Sequence, residues 1–247
     1  MRLRARTVFA VVVLVGLGGM LVWAIVGLAP FGTPSGPANA VTRTLAEQRH
    51  VANTVNGVTY DLRGVDTLGE ELILFVAALG SAVLLRHGRG EQVEADEGRD
   101  GSGSRLPDTL RDAGAVLVGP VVVLGVYIVA HGHLSPGGGF QGGVILASGL
   151  LLAYAAGQVV ALKRVEPPSL VEVAEASGAL AYALVAIGGL VFASAALANF
   201  LPLGTSGELL SSGTIAVLSV AVGVEVTGAV ALILTEFLDQ TLLEAAE

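Results

Sequence analysis

Apolar residues in this chain gather into long runs broken by short polar stretches. They are not spread at the spacing of a surface helix or a half-buried strand. Six runs have the length, roughly 18–20 residues, that a helix needs to cross a bilayer. They cover about Thr7–Leu28, Leu68–Leu85, Ala113–Ala130, Phe140–Leu162, Ser177–Ala198 and Gly213–Glu236. In hydrocarbon every backbone polar group must be satisfied within the segment, so the runs read as helices. The pattern predicts an all-α polytopic membrane protein with about six transmembrane helices.

One polar stretch is longer than the rest. Residues 87–110 open with HGRGEQVEADEGRDGSGSRLPD, rich in glycine, serine and charge and nearly free of apolar side chains. Such a segment has too little apolar surface to offset the entropy of folding and reads as a flexible linker. The expected organisation is a two-helix unit over 1–88, a cytoplasmic linker over 89–110 and a four-helix unit over 111–247. No internal repeat relates the two units.

Composition sharpens this. Of 247 residues, 53% are hydrophobic and 14% are charged, against about a quarter charged in soluble domains. The cysteine count is zero, which excludes disulfides, thiolate metal sites and cysteine nucleophiles within the chain. The net charge is -8 with no basic block, so nucleic acid is not an expected partner. Lys and Arg accumulate on the cytoplasmic side. With the N-terminus inside, Arg2, Arg4, Arg6, Arg86, Arg89, Arg99, Arg105, Arg111, Lys163 and Arg164 lie inside, and only Arg43, Arg49 and Arg63 lie outside. Both termini are therefore expected in the cytoplasm. The basic start, apolar run and "ANA" at 38–40 also resemble a secretory signal. The run is longer than the roughly 7–15 residues of a signal core, so a retained anchor is expected.

The polar breaks hold the candidate chemistry. HGHLSPGGGFQGGV, residues 131–144, joins two apolar runs. Gly137, Gly139 and Gly142 fit a dinucleotide fingerprint by spacing, but that fingerprint follows a strand and precedes an acid about 20 residues on. Neither condition holds, so a tight extracytoplasmic hairpin is expected, with Pro136 ending the helix and the glycines permitting close approach. His131 and His133 lack the carboxylate or thiolate company of a metal site, and no metal or other cofactor is expected. Residue chemistry leaves two roles open for His133: a proton-exchanging group near neutral pH, or an interfacial side chain capping a helix.

Glu225 lies in the middle of the last run. An acid there is costly, and such residues usually face protein or water and serve function. The alternative is a protonated carboxyl hydrogen-bonded inside the bundle. Ala221, Gly228 and Ala229 flank it on one helical face and predict close packing on another helix. Asp66, Thr67, Glu70 and Glu71 open the second run. They suit either an ion entry or a helix cap, with Asp66 or Thr67 as N-cap and Glu70 completing a capping box. Nothing resembles a nucleophile–base pair, and no catalytic role is expected.

Residues 132–157, GHLSPGGGFQGGVILASGLLLAYAAG, resemble the signature of the B-type, MnhB-like subunits of Mrp-type multisubunit cation/proton antiporters and of related hydrogenase membrane subunits. Residues 221–239 are similar to the last span of that family. Residues 55–86, VNGVTYDLRGVDTLGEELILFVAALGSAVLLR, resemble the C-terminal segment of the large A-type antiporter subunits, a segment that stands as a separate small subunit in the hydrogenases. The resemblance implies an all-α subunit of a large complex in the cell membrane, moving Na+ and H+ among other antiporter subunits and lipid. It links His133, Pro136 and Phe140 to antiport, with Gly137, Gly138, Gly139, Gly142 and Gly143 as the structural motif. It implies an ion path through Glu70, with Asp66 and Arg63 in the polar run before it. Glu225 falls where hydrogenase-like members carry an acid, and Glu71 is a second acid where an apolar residue is commoner. The main pumping channel would lie in partner chains, since no span here carries a lysine. The same resemblance leaves a redox-driven ion pump as the alternative setting.

Overall fold

The computed structural model describes residues 2–28, 36–85, 108–156 and 168–244. Most of the expected linker, and the end of the fourth run, lie outside the described residues. The helices are α1 (Arg2–Val26), α2 (Gly36–Arg49), α3 (Thr54–Gly57), α4 (Gly64–Leu85), α5 (Asp108–Ala130), α6 (Gly139–Ala155), α7 (Pro168–Ala193) and α8 (Thr214–Glu244), with a π-helical turn at Val58–Leu62 between α3 and α4. Among the described residues, five helices are long and apolar enough to cross a membrane: Thr7–Val26, Gly64–Leu85, Asp108–Ala130, Leu170–Ala193 and Thr214–Phe237. Gly139–Ala153 is a shorter apolar helix. The all-α, multi-pass expectation holds.

Contacts divide the chain into two units, Met1–Val41 and Thr42–Glu247. In the first, α1 exposes large apolar side chains throughout, Phe9 and Trp23 among them. In the second, α8 is the centre and packs against α7, α6, α4 and α5. Its buried positions Ile215, Leu218, Val222, Val226, Ala229 and Leu232 follow the three- and four-residue steps of one helical face. Helix α4, expected to belong with the first span, packs here on α8.

Two of the boundaries that differ from the apolar runs bear on the site. Helix α4 starts at Gly64, a turn earlier than expected, so neither Asp66 nor Thr67 is an N-cap: Asp66 pairs with Arg63 at 2.7 Å and the Thr67 hydroxyl donates to the Thr59 carbonyl at 3.0 Å. Helix α7 starts at Pro168 rather than Ser177. Glu175, outside the expected run, is buried inside the bundle. Ser194, at φ 61°, takes the left-handed conformation that ends α7.

Candidate functional site

The glycine-rich hairpin owes its shape to backbone demands that only glycine meets without strain. Gly137 and Gly138 stand at φ 150° and 148°, a region that L side chains rarely adopt. Beyond the turn, glycines set helix spacing. A Cβ on Gly143 would sit 2.7 Å from the Val226 Cβ, and one on Gly139 would collide with the Ser219 carbonyl of α8. A Cβ on Gly142 would strike Val129 of α5. Gly139 and Gly143 thus seat α6 on α8, and Gly142 seats it on α5.

A partner far away in sequence holds the hairpin. The Asn53 side-chain amide donates to the carbonyls of Gly132 at 2.7 Å and Ser135 at 2.9 Å, and its backbone N–H donates to the His133 carbonyl at 3.0 Å. Its Oδ1 meanwhile accepts from the Val55 N–H at 3.2 Å, capping α3. Three residues earlier, His50 donates from Nδ1 to the Gly204 carbonyl at 2.7 Å, and the Ser212 hydroxyl donates to the His50 carbonyl at 2.9 Å. Residues 50–53 therefore clasp both the hairpin and the loop between α7 and α8.

The two hairpin histidines differ. His131 stacks on Tyr127 with ring centroids 4.2 Å apart and approaches the Tyr127 carbonyl, closing the end of α5. His133 is 1% exposed and sits against the main chain of Glu208 and Leu209. Burial holds its imidazole below the ordinary 6.5, with a smaller opposite pull from those main-chain groups. A groove of about 570 Å³ opens beside His133 between α7 and α8, walled by Ala181, Leu209, Val217 and Val224.

Three acids from three helices converge in the core. Glu225 of α8 is 0% exposed and Glu71 of α4 is 1% exposed. Their carboxyls lie within hydrogen-bonding reach of each other. None of their four oxygens receives a hydrogen bond from a donor among the described residues, and the same is true of Glu175 Oε1. Two ionised carboxylates offer each other only acceptors. The pair therefore requires a proton, a cation or a donor from a partner chain. Glu175 of α7 lies within electrostatic reach of Glu225. Glycines bring α7 and α8 this close: Gly178 abuts the backbone N and Cβ of Glu225, and Gly228 abuts the backbone of Glu175. The small-residue face around Glu225 thus packs on α7, as expected.

Two tyrosines border the carboxyls. Tyr182 donates its hydroxyl to the Gly64 carbonyl at 2.9 Å. Tyr60, in the π-helical turn, is 2% exposed, and its hydroxyl neighbours Ser219, the Gly139 backbone and Glu71. Burial, then the Glu71 charge, raises the Tyr60 phenol above its ordinary value.

The sequence-expected site residues divide accordingly. Glu225 and His133 are buried; Glu70 and Asp66 are exposed. The structure joins Glu225 to Glu71, not to Glu70. Glu175, Asn53 and Tyr60 escaped the sequence reading as site members, and Glu71 was marked there only as a second acid beside Glu70. The signal for Glu175 was its place three residues before Gly178; for Asn53 it was an asparagine directly before a helix.

A family model described as a domain related to the MnhB subunit of Na+/H+ antiporters matches residues 109–232. The chain belongs to that family. An uncharacterised protein of Methanocaldococcus jannaschii is 31% identical to the MnhB-related chain over 199 residues, covering 71% of this chain and 73% of the relative. A probable A/B-type subunit of a K+/H+ antiporter from Rhizobium meliloti is 28% identical over 175 residues, 63% of this chain but 17% of that protein. Among solved structures, a chain of the membrane-bound sulfane sulfur reductase, an archaeal respiratory membrane complex, aligns with TM-score 0.72 and 27% identity, over 94% of this chain and 98% of that one. A chain of the Mrp complex from Dietzia sp. DQ12-45-1b aligns with TM-score 0.68 and 26% identity, over 96% of this chain and 26% of that one. The MnhB-related chain is thus a multi-pass membrane protein of the antiporter-subunit family.

Proposed function

We propose that the chain is a membrane subunit of a multisubunit Na+/H+ antiporter in the cell membrane, with both termini in the cytoplasm and other membrane subunits around it. It catalyses no reaction of its own and contributes part of the ion path. The observation that carries this is the Glu71–Glu225 pair, buried on facing helices of a membrane bundle with Glu175 beside it. A carboxyl pair of this kind can hold a proton or a bare cation and release it when its neighbour changes charge. Glu70 and Asp66, exposed at the mouth of α4, supply the approach from a partner subunit, and His133 tunes the hairpin side.

A redox-driven ion pump is the second reading. It is favoured by the near-complete match, in both directions, to a chain of an archaeal respiratory complex. The relative from a K+/H+ antiporter makes K+ the competing cation.

The deciding experiment reconstitutes the purified complex in vesicles and follows internal pH after a pulse of Na+ or K+. Sodium-driven proton movement that Glu225→Gln abolishes in an assembled complex supports the reading. Full activity of that variant removes the carboxyl pair from the path. Proton movement that requires electron donor and acceptor, and no Na+ pulse, moves the chain to the redox setting.

A further inference from the structure

The groove beside His133 lies outside the ion path proposed above, and its length and polarity define what fits it. One stripe of α8, Val217, Val220, Ala221 and Val224, lines it together with Gly178 and Ala181 of α7. Val217, Val220 and Val224 are exposed, so the groove opens sideways on the flank of a membrane helix. From Ala216 to Val224 it follows about 12 Å of α8. The hydrocarbon half of one leaflet is about 15 Å deep. Beyond Val224 the two helices close on each other, because Gly178 abuts Glu225 and Gly228 abuts Glu175. The groove therefore runs from the hairpin end to about the bilayer midplane and stops. A helix of a partner subunit would need a face that continues across the whole bilayer.

Its polarity is one-ended. No charged side chain lines it. The Ser177 hydroxyl at the deep end donates to the Ala174 carbonyl of its own helix at 3.0 Å, so it is already engaged. At the other end stands His133, almost fully buried, whose Nε2 has no hydrogen-bond partner among the described residues. The exposed Glu208 directly precedes Leu209 there. A site with an apolar body and one polar end suits an amphiphile.

We propose that the groove binds one acyl chain of a zwitterionic phospholipid from the leaflet on the hairpin side, with an ester carbonyl on His133 and the head-group ammonium beside Glu208. The site depends on the membrane placement of the bundle and not on its transport role. An ester carbonyl only accepts, so His133 takes the tautomer with its proton on Nε2 and donates it. An anionic head group would meet Glu208 with no Lys or Arg in the lining to answer it, whereas an ammonium forms an ion pair there. The far end of the chain rests on Gly178, the residue that abuts Glu225, and keeps water from that flank of the carboxyl pair.

The test uses the intact complex in detergent micelles and a phosphatidylethanolamine with a photoreactive diazirine at the end of one acyl chain. Labelled peptides are mapped by mass spectrometry. The expected label concentrates on residues 177–181 and 216–224. Unlabelled phosphatidylethanolamine should displace it at about two- to fivefold lower concentration than phosphatidylglycerol, and Glu208→Lys should reverse that order. Val220→Trp fills the groove from its exposed rim and should cut the label there about tenfold or more, with normal assembly on native gels. His133→Phe keeps a ring without the N–H and should weaken labelling about two- to tenfold. Label spread evenly over the groove and the outer face of α4, and unchanged by Val220→Trp, marks bulk lipid and overturns the site. Equal displacement by the two lipids, or wild-type labelling in His133→Phe, overturns the assigned head group. Label that enters the groove only after a partner subunit dissociates gives the groove to that subunit and overturns the proposal.

Discussion

Replacing Asn53 by alanine should release the hairpin, and the size of the effect can be worked from its bonds. The side chain makes two good hydrogen bonds to hairpin carbonyls, at 2.7 and 2.9 Å, and a contact to the Gly137 carbonyl at 3.4 Å too long to count for much. Two neutral hydrogen bonds are worth about 1–3 kcal/mol together. The carbonyls left behind are part-buried, so water offsets some of the penalty of leaving them unpaired. Loss of the cap on so short a helix adds up to about 1 kcal/mol. The total is about 1–4 kcal/mol, which raises the population of the opened hairpin about 5- to 700-fold. Hydrogen exchange reads this at the Leu134 and Ser135 amides, both of which donate to the His131 carbonyl in the closed turn. Two further variants separate clamp from cap. Asn53→Ser keeps an oxygen for the Val55 N–H but loses the amide donor, so it should show most of the alanine effect. Asn53→Asp keeps the cap and points an acceptor at two carbonyls, so it should open the hairpin further than alanine. Wild-type protection in Asn53→Ser would refute the reasoning and leave Asn53 a mere cap.

The remaining predictions concern packing and pH. Gly178→Ala places a methyl within 2.6 Å of the Glu225 Cβ and should cost about 1–3 kcal/mol of thermal stability. Gly16→Ala, with nothing within 4 Å of its Cβ, should leave the melting temperature unchanged in the same assay. Tyr182→Phe removes a buried hydroxyl bond to Gly64 and should cost about 1–2 kcal/mol without loss of assembly. His133, held below 6.5 by burial, makes the folded chain bind fewer protons than the unfolded one as pH drops through that value. Stability from this group is therefore complete above pH 6.5 and declines below it. Melting of the solubilised complex from pH 8 to 5 should show that decline, and His133→Gln should flatten it.

Much of the fold was legible because bilayer thickness writes itself into apolar run length. What run length cannot carry is rotation about each helix. Glu70 and Glu71 are neighbours in sequence, yet a helix turns 100° per residue, so one faces the core and the other the outside. Apolar side chains surround α4 on both faces, and no polar stripe marks its phase. Glu175 was hidden for a related reason: an acid near the end of an apolar run reads as the edge of the membrane. It is inside because Gly178 and Gly228 bring two helices together, a fact belonging to the pair rather than to either segment. The Asn53 clasp joins residues about 80 positions apart, and no local spacing rule reaches that far. The hairpin glycines, by contrast, were legible as a turn, and the structure adds which neighbour each one accommodates.

The centrality of α8 has a consequence for biosynthesis. Every helix that packs on it in the second unit precedes it in the chain, so α4, α5, α6 and α7 leave the ribosome before their common partner exists. Until α8 inserts, Glu71 and Glu175 wait in the bilayer without the helix that brings them together, and Gly143 and Gly178 have no surface to meet. The unit therefore closes late, around α5 and α6, which pack on each other without α8. A chain stalled before residue 214 presents the membrane quality-control machinery with α4 and α7 lacking their main partner and with two orphaned acids, a recognisable sign of an unfinished subunit.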